Sequence, residues 1–222
     1  VVGAGPAGLS AALTAAERGH AVTLFDKSDE IGGQLNMAKQ VPGKEEFWGL
    51  VDYYRTMVAD AGIDLRLNTR ADAGALKDAV FDRVIISTGI TPRVPDIAGI
   101  DHPKVAGYID VIQGKKAVGD RVAVVGAGGI GFDVCELISH SGPSSALDRD
   151  LFAAEWGVDF ENHPRGGVTG VEPQVAPSPR EIFLLQRKET SVGSGLGKTT
   201  GWTHRITLNR RGIKMMKAVE YD

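Results

Sequence analysis

The stretch VVGAGPAGLSAALTAAERG, residues 1–19, decides how the chain folds. An apolar pair leads into Gly3, Gly5 and Gly8 at G-x-G-x-x-G spacing, and a run rich in Ala and Leu, residues of high helix propensity, follows directly. The glycines have separate tasks in a strand-to-helix turn. Gly3 permits the tight turn, Gly5 has no side chain to hold a pyrophosphate off the backbone, and Gly8 lets helix and strand pack closely. The helix N-terminus beyond them offers free N–H groups and the positive end of the helix dipole, so an anion is favoured there. A second apolar run, AVTLF at 21–25, ends on Asp26, where an acid accepts hydrogen bonds from an adenosine ribose. Strand, glycine turn, helix, strand and acid come in the order of a dinucleotide-binding βαβ unit.

The first half continues with KSDEIGGQ at 27–34, whose Gly32-Gly33 pair either lets the chain cross close to a cofactor or forms a plain loop. Over 45–61, Phe47, Leu50, Val51, Tyr54, Met57, Val58 and Ala61 recur at helical spacing, which predicts an amphipathic helix with that stripe in the core. DLRLN and RVIIS read as two further strands, and the prolines and glycines of TGITPRVPDIAGI read as a crossover between domains.

A second unit begins at RVAVVGAGGIGFDVCELI, residues 121–138, where Gly126, Gly128 and Gly131 repeat the fingerprint. Two fingerprints in one chain imply two nucleotides, and electrons passing from one bound dinucleotide to the other. The next strand, EIFLLQ, ends in Gln186-Arg187-Lys188 where an NAD site carries an acid. Two cations there suit a 2′-phosphate, and no carboxylate is present for the 2′-hydroxyl of NAD. The residues thus favour NADPH, against the alternative of a solvated basic turn. Arg187 lies much further past Gly131 than the ~20 residues usual between glycine turn and reader, so residues 140–179, rich in Gly, Pro and Ser, are an insertion, either functional or mobile.

Composition narrows the partners. The chain has 222 residues, 42% of them hydrophobic, which is enough for packed cores. A net charge of -3 gives no reason to expect nucleic acid or an anionic membrane as partner. No uninterrupted apolar stretch is long enough to span a bilayer and no signal peptide is seen, so a cytoplasmic setting is expected. The 29 glycines exceed the ~7% average share, and many fall in the fingerprints. Cys135 is the single cysteine, which excludes a dithiol redox pair or a multi-cysteine metal site within the chain; it reads as a small buried residue on a helix.

TLFDKSDEIGGQLNMAKQVPGKEEF, STGITPRVPDIAGIDHPKV, GAGGIGFDV and LQRKETSVGSGLGKTTGWTHR resemble the C-terminal half of bacterial NADPH-dependent 2,4-dienoyl-CoA reductases, and the likeness runs along essentially the whole chain. The resemblance implies an α/β fold of two Rossmann-like dinucleotide-binding domains with mainly parallel sheets, glutathione-reductase-like and both incomplete. The FAD-binding domain is expected over 1–110 and the NADPH-binding domain over 111–222. It also implies a barrel domain with FMN and a cysteine-held iron-sulfur cluster elsewhere in the parent chain, this chain being an internal fragment clipped in its first strand. Electrons would run from NADPH through FAD, cluster and FMN to a dienoyl-CoA.

Roles carry over where residues match. Gly3, Gly5, Ala7 and Gly8 would cradle the FAD pyrophosphate, Asp26 its ribose, Gly33, Gln34 and Lys44 the rest of the flavin, and the backbone near Ala71 the adenine. For NADPH, Gly126, Gly128, Gly129, Ile130 and Gly131 would take the pyrophosphate and Arg187 with Lys188 the 2′-phosphate. Trp202 either stacks near the cofactor or packs on its own helix, and His204 is expected to face solvent or a phosphate. No catalytic side chain is expected, because nicotinamide and flavin supply the chemistry. Two alternatives remain at this stage, and a third is ruled out. A thioredoxin-reductase-type enzyme needs a CxxC pair that is absent; a structural ADP-holding domain, as in trimethylamine dehydrogenases, and an enoate reductase share the architecture.

Overall fold

A computed structural model describes residues 1–162 and 170–221, so part of the 140–179 insertion lies outside the described residues. The chain divides into two compact units, Val1–Lys39 with Glu46–Val94, and Gln40–Glu45 with Pro95–Asp222. Both are parallel α/β.

Unit 1 opens with the glycine turn and helix α1, Pro6–Glu17, then strand β1, Thr23–Phe25. Short helix α2, Leu35–Ala38, and α3, Glu46–Asp60, lead to β2, Asp64–Arg66, and α4, Ala73–Asp78. Strands β1 and β2 pair in parallel from Thr23↔Asp64 to Phe25↔Arg66, and Val2 bridges in parallel to Phe25 and to Ile86. Under this layer Ala4, Leu9, Ala12, Leu24, Leu35, Val51 and Val58 form one buried cluster. Leu9 is fully buried, and truncating such a side chain to Ala costs about 2 to 5 kcal/mol.

The stripe on α3 is core as the spacing predicts, except at its end. Val51 and Val58 are buried and Phe47, Leu50, Tyr54 and Met57 pack against the cluster, whereas Ala61, one residue past the helix, is exposed. The expected strand RVIIS does not form. Only Ile86 makes a bridge, and Val84, Ile85 and Ile86 are 43%, 43% and 66% exposed. The physical reason is the partner: Val2 contributes a single bridge, too little for a ladder, so β-branched composition alone does not extend it.

Unit 2 holds helix α5, Tyr108–Ile112, strand β3, Arg121–Val125, and α6, Gly129–Ser139. The insertion contributes a 3₁₀ turn at Ser145–Leu147 and α7, Arg149–Trp156, before β4, Glu181–Leu185. Helix α8, Gly201–Arg210, and β5, Lys214–Met216, complete it. The sheet order is β3-β4-β5, all parallel. In the middle strand Ile182 and Leu184 are buried, the period of two that a pleated strand with one core face requires. Phe132, Val134, Cys135 and Ile138 of α6 are buried too.

The insertion starts where α6 ends, at the opposite end of that helix from the glycine turn. Its helix α7 is capped by the Asp148 carboxylate, which accepts from the N–H groups of Asp150 and Leu151 at 2.9 Å each, and stops at Gly157 in the left-handed region. The Arg211 guanidinium holds it, donating to Glu155 at 3.1 Å, with both side chains largely buried. No helix among the described residues is long and apolar enough to cross a membrane.

Candidate functional site: two glycine turns

In unit 1, Gly3 sits at φ 104°, and a Cβ built on Gly8 would collide with the Gly3 carbonyl oxygen and crowd the Ser87 hydroxyl. Helix α1 can approach the turn this closely only because Gly8 has no side chain. Gly5 is the N-cap and offers no side-chain cap, and Pro6 stands at the first helical position, so the N–H groups of Ala7 and Gly8 point out of the helix without an intrahelical acceptor. Around Gly5 there is room, because a Cβ there would meet only the Gly33 Cα at 4.0 Å. Gly33, at φ 53°, crosses beside it, and Gln34 begins α2. The buried Asn36 Oδ1 has no hydrogen-bond partner and lies where a Cβ on Gly32 would touch it. Open N–H donors, free space over Gly5 and an unpaired acceptor beside the glycine pair fit a bound dinucleotide.

Unit 2 repeats the turn. Gly126 is at φ 107°, a Cβ on Gly131 would collide with the Gly126 carbonyl oxygen, and Gly128 caps α6 without a side chain. A Cβ on Gly126, Gly128 or Gly129 would meet nothing within 4 Å, and Ile130 is 45% exposed. The N-terminus of α6 therefore faces open space.

Backbone hydrogen bonds put the two second strands into register. Gly3 N–H donates to Phe25 O as Gly126 N–H donates to Leu185 O, and Asp26 N–H donates to Arg66 O as Gln186 N–H donates to Met216 O. Thr69 N–H reaches Asp26 O, and Val219 N–H reaches Gln186 O. Even the strained residues match, with Asn68 at φ 50° and Ala218 at φ 54°. Asp26 and Gln186 thus occupy one backbone position in two copies of the same unit.

What their side chains do differs. Asp26 accepts from Ala4 N–H at 2.6 Å and from Ser28 N–H at 2.8 Å, drawing its carboxylate to the rim of the first turn. The Gln186 amide instead donates forward to the carbonyls of Lys188 at 3.0 Å and Thr190 at 2.8 Å, curling the following turn. Arg187 and Lys188 stand exposed on that turn, with no ion pair among the described residues.

Of the other residues singled out from sequence, Lys44 donates to Asp133 of α6 at 2.6 Å, so its ammonium is already paired within unit 2. Ala71 is half-buried just beyond β2. Trp202 begins α8, 51% exposed, its indole N–H donating to Thr199 O at 3.0 Å. Cys135 is fully buried and burial, with the neighbouring Glu136 charge, pushes its thiol up to about 12, so it stays protonated.

His204 departs from the expectation of solvent or phosphate. Its Nδ1 lies 2.6 Å from Glu136 Oε1, with side chains 27% and 10% exposed, and its ring meets Phe132 edge-on. The Glu136 hydrogen bond holds the imidazole above its ordinary pKa, against the opposing effect of burial. The signal was available in part: Glu136 sits in the apolar run of α6, and a carboxylate there requires a partner. No group of three or more metal-ligating side chains occurs among the described residues.

The chain is 37% identical to a metal reductase of Desulforamulus reducens over 97% of its own length and 32% of that protein. It is 35% identical to a cinnamate reductase of Clostridium sporogenes over 64% of its length and 21% of the relative. Among solved structures, a 2-naphthoyl-CoA reductase complexed with 2-naphthoyl-CoA superposes with a TM-score of 0.74 at 29% identity, over 99% of this chain and 28% of that one. The chain therefore spans less than a third of the length of each of these three proteins. The pyridine nucleotide-disulphide oxidoreductase family matches residues 1–216, and together with the two glycine turns this places the chain in that family, an FAD- and NAD(P)H-binding oxidoreductase domain.

Proposed function

We propose that the chain is the NADPH-to-FAD electron-entry module of a flavoprotein reductase that acts on an unsaturated acyl-CoA, of the 2,4-dienoyl-CoA reductase kind. Residues 1–110 then hold FAD and residues 111–222 hold NADPH, while FMN, an iron-sulfur cluster and the acyl-CoA site belong to the remainder of a longer protein.

One observation carries the choice of nucleotide. The backbone position that holds Asp26 in the first unit holds Gln186 in the second, followed by Arg187 and Lys188 without acidic partners among the described residues. A carboxylate accepts from a ribose hydroxyl and repels a phosphate. An amide flanked by two free cations does the reverse.

When bound, nicotinamide and flavin supply the hydride chemistry. The chain's own residues bind and orient. Gly3, Gly5, Ala7 and Gly8 receive the FAD pyrophosphate on uncapped N–H groups, Asp26 the ribose, Gly33 and Gln34 the flavin side, and the backbone at Ala71 the adenine. Lys44, which the resemblance gives to the flavin, is tied to Asp133 within the second unit. In the second unit Gly126, Gly128, Gly129, Ile130 and Gly131 receive the NADPH pyrophosphate, Arg187 and Lys188 the 2′-phosphate, and Trp202 flanks the nucleotide. The acyl-CoA substrate is supported by the family resemblance of the sequence and by a similar structure named for 2-naphthoyl-CoA, and reduction of a conjugated double bond by a relative named for cinnamate.

The test is anaerobic reduction of the flavin in the full-length protein by NADPH and NADH. Replacing Arg187 and Lys188 together by Ala removes two charge-assisted contacts, each worth about 1.5 to 3 kcal/mol. NADPH efficiency should fall on the order of a hundredfold while NADH efficiency stays level. Equal losses for both coenzymes, or none, refute the nucleotide assignment.

A further inference from the structure

The segment from Gln186 to Thr200 joins β4 to α8 and carries Arg187 and Lys188. Its fixed points form a chain of contacts. Val192 is buried, and Gly193 lies so close to α6 that a Cβ on it would stand 2.8 Å from Phe132 Cζ and 3.1 Å from the Arg205 side chain. Phe132 is itself braced edge-on by the His204 ring, with ring centres 6.5 Å apart, and His204 is tied to Glu136.

Full burial on α8 is confined to two residues. Within GWTHRITLNR only Gly201 and Leu208 are buried, and they lie at opposite ends of the helix. Glu136, with its side chain 10% exposed among apolar neighbours of α6, has His204 as its side-chain partner. A carboxylate so placed is costly unless hydrogen-bonded, so the bond is strongly specified. One helical turn earlier, Lys44 neutralises Asp133, which leaves Glu136 to His204.

We propose that Glu136 and His204 are a positioning pair for nucleotide selectivity: they fix α8 and Phe132 on α6, and so set the 187–193 turn, with Arg187 and Lys188, against the second glycine turn. This rests on reading Arg187 and Lys188 as 2′-phosphate ligands. Neither Glu136 nor His204 touches the nucleotide. Their effect passes through Phe132 and Gly193, and it acts on the one part of the ligand that NADP+ has and NAD+ lacks.

The experiment is calorimetric titration of the full-length protein with NADP+ and with NAD+. In His204→Ala the Kd for NADP+ should rise roughly tenfold with that for NAD+ unchanged. His204→Asn, which keeps an N–H donor near the Nδ1 position, should recover most of the NADP+ affinity, and Glu136→Gln should fall between. If His204→Ala does not fold, the Asn and Gln variants carry the test through the same NADP+/NAD+ ratio. Equal weakening for both nucleotides, failure of Asn to rescue, or an unchanged ratio overturns the proposal. The double variant of Arg187 and Lys188 separates the two ideas. Loss of selectivity there with none in the pair variants defeats only the positioning role; no loss there defeats the 2′-phosphate reading itself.

Discussion

In unit 1 the turn from Gly3 to Gly8 enters α1 with Gly3 at φ 104°, and in unit 2 the turn from Gly126 to Gly131 enters α6 with Gly126 at φ 107°. In each, the third glycine meets the carbonyl oxygen of the first so closely that no side chain fits, and the residue after the second strand makes the same backbone bonds. The shared need to bring a bare helix N-terminus to a phosphate dictates the backbone. The side chain at the one matched position differs, Asp26 in one unit and Gln186 in the other, and the proposed nucleotide preference rests on that difference.

The largest effects should come from filling the two turns. Gly8→Val should strip FAD from the purified protein, and Gly131→Val should leave FAD content intact while weakening NADP+ by about a hundredfold or more, since overpacking of this kind costs about 1 to 3 kcal/mol before the lost phosphate contacts are counted. FAD content, separated from FMN after extraction, and nucleotide affinity by calorimetry read the two turns separately. Loss of flavin in the Gly131 variant would break the division of labour between the turns.

A smaller effect sharpens the comparison at its point of difference. Gln186→Asp gives the second unit the residue of the first, with Ala127 N–H in the place that Ala4 N–H takes beside Asp26. The new carboxylate repels a 2′-phosphate and accepts from a 2′-hydroxyl, so the NADP+/NAD+ affinity ratio should fall roughly tenfold or more. An unchanged ratio would mean that the matched position does not read the ribose.

The smallest concerns His204. Its folded-state pKa is raised above 6.5 by the bond to Glu136, so the imidazolium stabilises the fold. That contribution is complete below the unfolded value and is lost as pH rises through the raised folded value. Unfolding free energies from urea titrations at about pH 6 and about pH 9 should differ by less in His204→Asn than in the wild type, by on the order of 1 kcal/mol. Identical pH dependence in the two proteins would deny the ion pair a role in stability.

Much of this was legible in the chain because it is local. Glycine spacing fixes the turns, the 3.6-residue stripe fixes α3, and the acid after AVTLF or its absence after EIFLL is a matter of reading the next residue. Two features were not. RVIIS has the composition of a strand, but a strand needs a partner, and Val2 supplies one bridge. The Glu136–His204 bond joins residues 68 positions apart, which no periodicity encodes. The matching of Asp26 to Gln186, read from the sequence across the insertion, agrees with the shared backbone bonds.

The most direct measurement is the affinity of the wild-type full-length protein, flavin in place, for NADP+ and NAD+ in parallel calorimetric titrations. A second turn that has exchanged its acid for Gln186 and two free cations should bind NADP+ at least about tenfold more tightly, with the preference shrinking as salt screens the 2′-phosphate contacts. Equal affinities, or tighter binding of NAD+, would contradict it.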